Sequence, residues 1–230
     1  MVILRLSQAL QETGFIARGG FHPGPEDELP VPWTASSTLI IVGNAGDDMW
    51  KAFSKSPEYN ARYTQNNPLD DWTKRSLETI AVRFNAKVIL PSDGPPYFPF
   101  QRWAQRADTV FPSPIGPLIH PEFGLWHAYR GAILLPELLS LPTKPKIASP
   151  CDSCSGRPCL TSCPTNAFGP NGYDVPSCIT YLQTTKNPKC LTEGCAARHA
   201  CPIGRPYLYK LAQASFHQKR FLQASRRLNQ

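Results

Sequence analysis

Eight cysteines, all between Cys151 and Cys201, are the residues of this chain best suited to chemistry. They run Cys151-x2-Cys154-x4-Cys159-x3-Cys163-Pro164, then Cys178, then Cys190-x4-Cys195-x5-Cys201-Pro202. Thiols at this density hold iron–sulfur clusters, bind zinc or pair as disulfides. Structural zinc sites usually combine two short Cys-x2-Cys hooks, and the second block has none. Disulfides belong to oxidising compartments and to small secreted domains with little core. Here 150 cysteine-free residues precede Cys151, and the first residues do not read as a secretion signal. The spacing favours iron–sulfur chemistry, with zinc and then disulfides as the alternatives.

Two blocks that each end in Cys-Pro resemble the ligand set of a double [4Fe-4S] ferredoxin module. In that module the fourth Cys of each block crosses over to the other cluster. The resemblance implies one cluster on Cys151, Cys154, Cys159 and Cys201, and a second on Cys163, Cys178, Cys190 and Cys195, with no thiol left over. The first block departs from the bacterial pattern by having x4, through Ser155–Pro158, where x2 is usual. The second block is looser still.

A second constellation lies upstream. Leu90-Pro-Ser-Asp93-Gly-Pro-Pro-Tyr97-Phe-Pro-Phe-Gln101-Arg102-Trp and Gly116-Pro-Leu-Ile-His120-Pro-Glu-Phe-Gly124-Leu-Trp126-His127-Ala-Tyr129-Arg130-Gly131 put aromatic rings and charges on loops rich in Gly and Pro. For any single aromatic, a place in the core is the competing reading, and Asp93-Gly94 is also an ordinary turn signal. The His-Pro-x-Phe-Gly-x-Trp-x-x-x-Arg-Gly segment resembles cobalamin-trafficking chaperones of the cblC type. The whole chain order resembles the epoxyqueuosine reductases, which place a cobalamin-binding domain of nitroreductase-like fold before two [4Fe-4S] clusters. Their Cys-Pro-Thr-x-Ala signature recurs as Cys163–Ala167, and their Cys-Ile-Ser-Tyr-Leu-Thr as Cys178–Gln183.

That resemblance implies a catalytic Asp93, which would deliver a proton to substrate, and a corrin held by Tyr97, Arg102, Gly116, His120, Gly124, Trp126, Tyr129 and Arg130. A corrin is broad and mostly apolar, so its slot needs aromatic walls and a few placed donors. A protonated Asp93 would need desolvation, with Tyr97 and Phe98 keeping water away. Only 29 residues follow Cys201. The reductases continue there into helical repeats that help bind tRNA, so tRNA as a partner has no support in this chain.

Around these residues the elements alternate irregularly. The stretch Met1–Gly14 reads as an amphipathic helix capped by Gly14, and Ser37–Gly43 as a buried strand. Asn67-Pro68 opens a helix to about Phe84, with Asn67 as cap and Asp70 and Asp71 at its positive end. Lys87–Leu90 and Ile133–Leu135 are further strands, and Tyr207–Leu228 a terminal helix. The expected class is α+β: a nitroreductase-like cobalamin-binding domain with a sheet flanked by helices over 1–147, a ferredoxin-like module over 148–205, and a C-terminal helix over 206–230.

The 230 residues suffice for a sizeable core, and no apolar stretch nears the length of a membrane span. The cytoplasm is therefore the expected compartment. A formal charge of +7 falls to about +3 once each cluster with its thiolates contributes about −2. The remaining positives gather at Lys210, Lys219, Arg220, Arg226 and Arg227, on a solvated helix face or opposite nucleic acid or an acidic redox donor. The sequence thus points to an iron–sulfur reductase, fed by an external low-potential donor and acting with cobalamin on a small-molecule or corrinoid substrate. The alternatives are a non-catalytic electron carrier and a chaperone that decyanates cobalamin.

Overall fold

Thr38–Ala45 is the most apolar run of the first half, and seven of its eight residues are buried. A strand covered on both faces has this pattern. The computed structural model describes residues 2–228, without the side chains of residues 226–228, so Arg226 and Arg227 lie outside the described side chains. In chain order the strands are Ile16–Phe21 (β1), Thr38–Ala45 (β2), Lys87–Ile89 (β3), Phe111–Pro112 (β4), Leu118–Ile119 (β5), His127–Leu135 (β6), Phe168–Gly169 (β7) and Gly172–Tyr173 (β8). The α-helices are Val2–Gln11 (α1), Asp48–Phe53 (α2), Pro57–Asn60 (α3), Pro68–Val82 (α4), Phe100–Ala107 (α5), Pro158–Thr161 (α6), Val175–Thr184 (α7), Lys189–Glu193 (α8), Ala196–His199 (α9) and Leu211–Leu228 (α10). No described helix is long and apolar enough to cross a membrane.

The chain divides into two units, residues 1–109 with 127–146 and residues 110–126 with 147–230. The first is a mixed α/β unit around an antiparallel sheet of order β1-β2-β6-β3. Phe21, Leu39, Ile41, Ile89, Ala132 and Leu134 meet Phe100 and Trp103 of α5 in one core cluster. Helices α1, α2 and α4 also pack on the strands, and Phe15 and Phe53 lie against Trp72. Pro68 opens α4 with Asp70 and Asp71 in its first turn, but Asn67 makes no side-chain cap bond. The helix stops at Val82, ahead of Asn85 at φ 49°.

Two irregularities shape this sheet. Between β2 and β6, Val42 pairs with Gly131 and Gly43 with Tyr129, so Arg130 is an extra residue without a partner in the ladder. Such a bulge redirects a side chain. A second shift, between Ala17 and Gly20 of β1, brings Arg18 into the interior at 4% exposure. There its guanidinium pairs with Asp108 at 2.7 Å. The Tyr129 hydroxyl donates to the same carboxylate at 3.0 Å.

The second unit owes its extra segment to packing. Ile115, Ile119 and Leu125 form one buried cluster with Ala197 and Cys201, and Phe111 and Cys159 pack against it. Sequence reading puts Val110–Trp126 with the front domain; the apolar side chains of that segment join it to the cysteine region instead. The terminal helix begins at Leu211 rather than Tyr207, because Arg205–Tyr207 form a 3-10 turn around Pro206.

Candidate functional site

Each end of a short helical turn carries a cysteine. Cys159 lies in α6 and Cys163 follows it; Cys195 caps α9 and Cys201 follows that. Helices α6 and α9 pack on each other. The two turns therefore bring separated parts of the sequence into two thiol-lined cavities. Cys151, Cys154, Cys159 and Cys201 line one, together with Ile119, Arg157 and Ile203, around about 320 Å³ free of protein atoms. Cys163, Cys178, Cys190 and Cys195 line the other, with Phe168, Tyr181 and Gln218, around about 300 Å³. These are the quartets that the crossover rule assigns.

All eight cysteines are free thiols, so no disulfide pairs them. Among the described residues, no group of three or more His, Cys, Asp or Glu side chains is arranged to hold a metal ion. The quartets have the donor set of a cluster: four soft sulfurs around a cavity, with backbone N–H groups aimed at them. Burial pushes the thiols of Cys151, Cys159, Cys178, Cys190, Cys195 and Cys201 above the ordinary thiol range. Cys163 goes the other way. Burial would raise it, but the Thr165 hydroxyl and the N–H groups of Ala167, Thr165 and Asn166 together outweigh that effect. Bonds donated to sulfur favour its charged form.

The corrin-binding expectation divides between the units. In the second unit, Gly116 lies in an open turn at φ 99°, with nothing near the position of a Cβ. His120 spends Nδ1 on a turn, accepting from Glu122 N at 3.0 Å and Phe123 N at 3.1 Å. Gly124 is pressed against Ile203. Trp126 is 1% exposed, with Arg198, Tyr209 and His199 packed around its ring. Expected as a wall of the corrin slot, it presents no surface to a bound ring. Arg198 stacks between Trp126 and Tyr209 and donates to Leu125 O, so cation–π contact holds this core together.

In the first unit, Asp93 closes a turn: its carboxylate accepts from Leu90 N at 2.8 Å, and its own N–H donates to Leu90 O. It is half-buried, and Tyr97 is 70% exposed, so the expected screen against water does not form there. Arg102 reaches instead to Glu26 O and Glu28. Tyr129 and Arg130 do share a cavity, lined also by Asp70, Thr73, Leu90, Pro91 and Ser92, with about 560 Å³ free of protein atoms. Arg130 Nε donates to Asn44 Oδ1 at 3.0 Å.

Asp70 and Thr73 are functional candidates that sequence reading passes over. Asp70 reads there as an ordinary helix-dipole residue, and nothing local marks Thr73. The Asp70 side chain stands at the open mouth, yet crowding by protein pushes its carboxyl above the ordinary range, against the opposing pull of Arg130. Thr73 is 2% exposed, and its hydroxyl has no hydrogen-bond partner among the described residues. Tyr129, desolvated and facing Asp108, is held in its neutral form well above the usual phenol range.

With this geometry in view, the solved structures can be compared. The fold is that of CblC and the epoxyqueuosine reductases. The C. elegans B12-trafficking protein CblC, a homologue of human MMACHC, superposes with a TM-score of 0.57 at 14% identity, over 96% of this chain and 94% of the other. Selenomethionine-labelled epoxyqueuosine reductase gives 0.52 at 17% identity, over 93% of this chain and 68% of its own. Epoxyqueuosine reductase with an epoxyqueuosine-modified tRNA-Tyr stem loop gives 0.51 at 17%, over 91% and 67%. No family model matches the sequence, and no curated protein does so.

Proposed function

We propose that this chain is an iron–sulfur reductase, with a ferredoxin-like double [4Fe-4S] module in the second unit serving a cobalamin-dependent reductive site. The observation that carries the reading is the sorting of eight thiols into two quartets, each around its own cavity. Cys151, Cys154, Cys159 and Cys201 would hold one cluster, and Cys163, Cys178, Cys190 and Cys195 the other. Such clusters supply single electrons at low potential, in the range that cobalamin reduction demands. The chain's part is to shield the sulfurs, orient them and aim N–H groups at them. An external low-potential donor would supply the electrons.

Support for cobalamin comes from the fold shared with CblC and the reductases and from the segment His120–Gly131. Of the residues expected to bind a corrin, only Tyr129 and Arg130 line the cavity of the first unit. It suits a substrate-sized polar group. Arg130 and Thr73 would hold that group, and Asp70 is the better-placed acid. Desolvation by the surrounding protein raises its carboxyl above the ordinary Asp range, against the pull of Arg130, whereas the carboxylate of Asp93 is engaged by Leu90 N. In that role Asp70 would have to hold a proton at Oδ for a bound group to accept.

The match to CblC over nearly all of both chains favours one second reading, a chaperone that decyanates cobalamin without another substrate. One experiment tests the whole. Anaerobically prepared protein is assayed for iron, sulfide, cobalt and zinc, reduced for EPR, and titrated with cobalamin. Two clusters per chain and an altered corrin spectrum are expected. Zinc in place of iron, or an unchanged spectrum, removes the proposal, and decyanation without turnover favours the chaperone.

A further inference from the structure

The two Cys-Pro turns are versions of one device that differ in whether the third residue carries a hydroxyl. Cys163-Pro164-Thr165-Asn166 and Cys201-Pro202-Ile203-Gly204 each follow a short helix, and each turn has its fourth residue left-handed, Asn166 at φ 50° and Gly204 at φ 76°. In the first turn the Thr165 hydroxyl lies 3.5 Å from Cys163 Sγ, and Ala167 N–H donates to the same sulfur at 3.4 Å. In the second turn the position of Thr165 is taken by Ile203, which lines the cavity of the other quartet and has no side-chain donor. The second quartet also has Tyr173, stacked on Phe168 at 4.7 Å across the β7–β8 hairpin, with its hydroxyl bonded to Cys178.

A donor on a ligand sulfur stabilises the more negative, reduced form of a cluster and so moves its potential upward. Ser149, whose hydroxyl bonds to Cys151, and Arg157 and Arg205 lie near the first quartet and act in the same direction on it. The two arginines are exposed and screened by solvent; at hydrogen-bond range the Cys163 quartet has two hydroxyl donors, Thr165 and Tyr173, against Ser149 on the first quartet. We propose that Thr165 is a positioning residue which sets the cluster of Cys163, Cys178, Cys190 and Cys195 at the more positive potential, so that the Thr165/Ile203 difference makes the two clusters inequivalent. The first electron entering the protein then rests on the Cys163 quartet. This rests on the iron–sulfur reading given above.

The test is potentiometric EPR on anaerobically prepared protein, titrated with dithionite after iron and sulfide are measured. Wild type should reduce in two separate waves. Thr165→Val should move one wave to more negative potential and leave the other, and Thr165→Ser should restore it. Ile203→Thr should move the opposite wave to more positive potential and narrow the gap. If Thr165→Val loses iron, the Ile203→Thr arm decides alone. Full iron with both waves unmoved, or moved together, overturns the inference and leaves the cluster reading intact. Wild type without iron and sulfide overturns both.

Discussion

Gly124 and Gly204 face each other backbone to backbone. A Cβ on Gly124 would fall inside 3.0 Å of the Ile203 carbonyl, and one on Gly204 inside 3.0 Å of the Phe123 carbonyl. Both are left-handed, at φ 58° and 76°. The close approach locks the turn after Cys201 onto the segment His120–Gly124, so the placement of the Cys201 thiol depends on a glycine some eighty positions earlier.

Alanine at either glycine combines an unfavourable φ with a backbone clash. Each substitution should cost about 2–4 kcal/mol and lower Tm by roughly 5–15 °C. Thermal unfolding of the anaerobic protein measures this, and the iron lost first should belong to the Cys201 quartet. A Gly204→Ala variant as stable as wild type would mean that the approach is looser than described.

Cysteine substitutions should sort by quartet, not by position in the chain. Cys159→Ser and Cys201→Ser, at distant positions, should remove the same EPR signal and about half the iron. Cys190→Ser should remove the other signal. If Cys201→Ser instead abolished the signal that Cys190→Ser abolishes, the crossover would be wrong.

The buried ion pair of the first unit gives a stability test apart from the clusters. Arg18 and Asp108 are 3% and 12% exposed at their side chains. Asp108→Asn leaves a buried guanidinium without its ionic partner, at a cost of about 3–5 kcal/mol. Denaturant unfolding at neutral pH should show this loss, while Arg102→Ala, which removes an exposed pair with Glu28, should cost under about 1 kcal/mol.

Asp70 should oppose stability to activity. Its folded carboxyl binds a proton more tightly than the unfolded one, so its stabilising contribution is present below the ordinary Asp range and is lost as pH rises through the folded value. Asp70→Asn should therefore be more stable than wild type at pH 7, and the difference should shrink as pH falls through the folded value of Asp70. Reductive turnover should fall in the same variant, while Asp93→Asn should mainly weaken its turn. A pH–rate profile unchanged by Asp70→Asn would end the acid role.

Much of the fold was readable from local chemistry. Pro68 and the two Asp marked α4, and the apolar run marked β2. Strand β1 was missed because Arg18-Gly19-Gly20 break any alternation, and only the tertiary bulge gives Arg18 a buried partner. Strand β6 starts six residues earlier than its apolar core suggests. His127–Arg130 look like a loop in sequence, and the bulge at Arg130 hides their register.

By itself the sequence determined the kind and number of the thiols, and the spacing with the proposed crossover gives the same two quartets that line the two cavities. Folding decided which other residues those thiols meet. Ile115, Ile119 and Leu125 join the cysteine unit through apolar packing, and Trp126 is buried among Arg198, His199 and Tyr209. Asp70, Thr73 and Arg130 reach one cavity because a helix terminus and a bulged strand converge. These contacts join residues tens of positions apart, and burial, which no local pattern encodes, selects them.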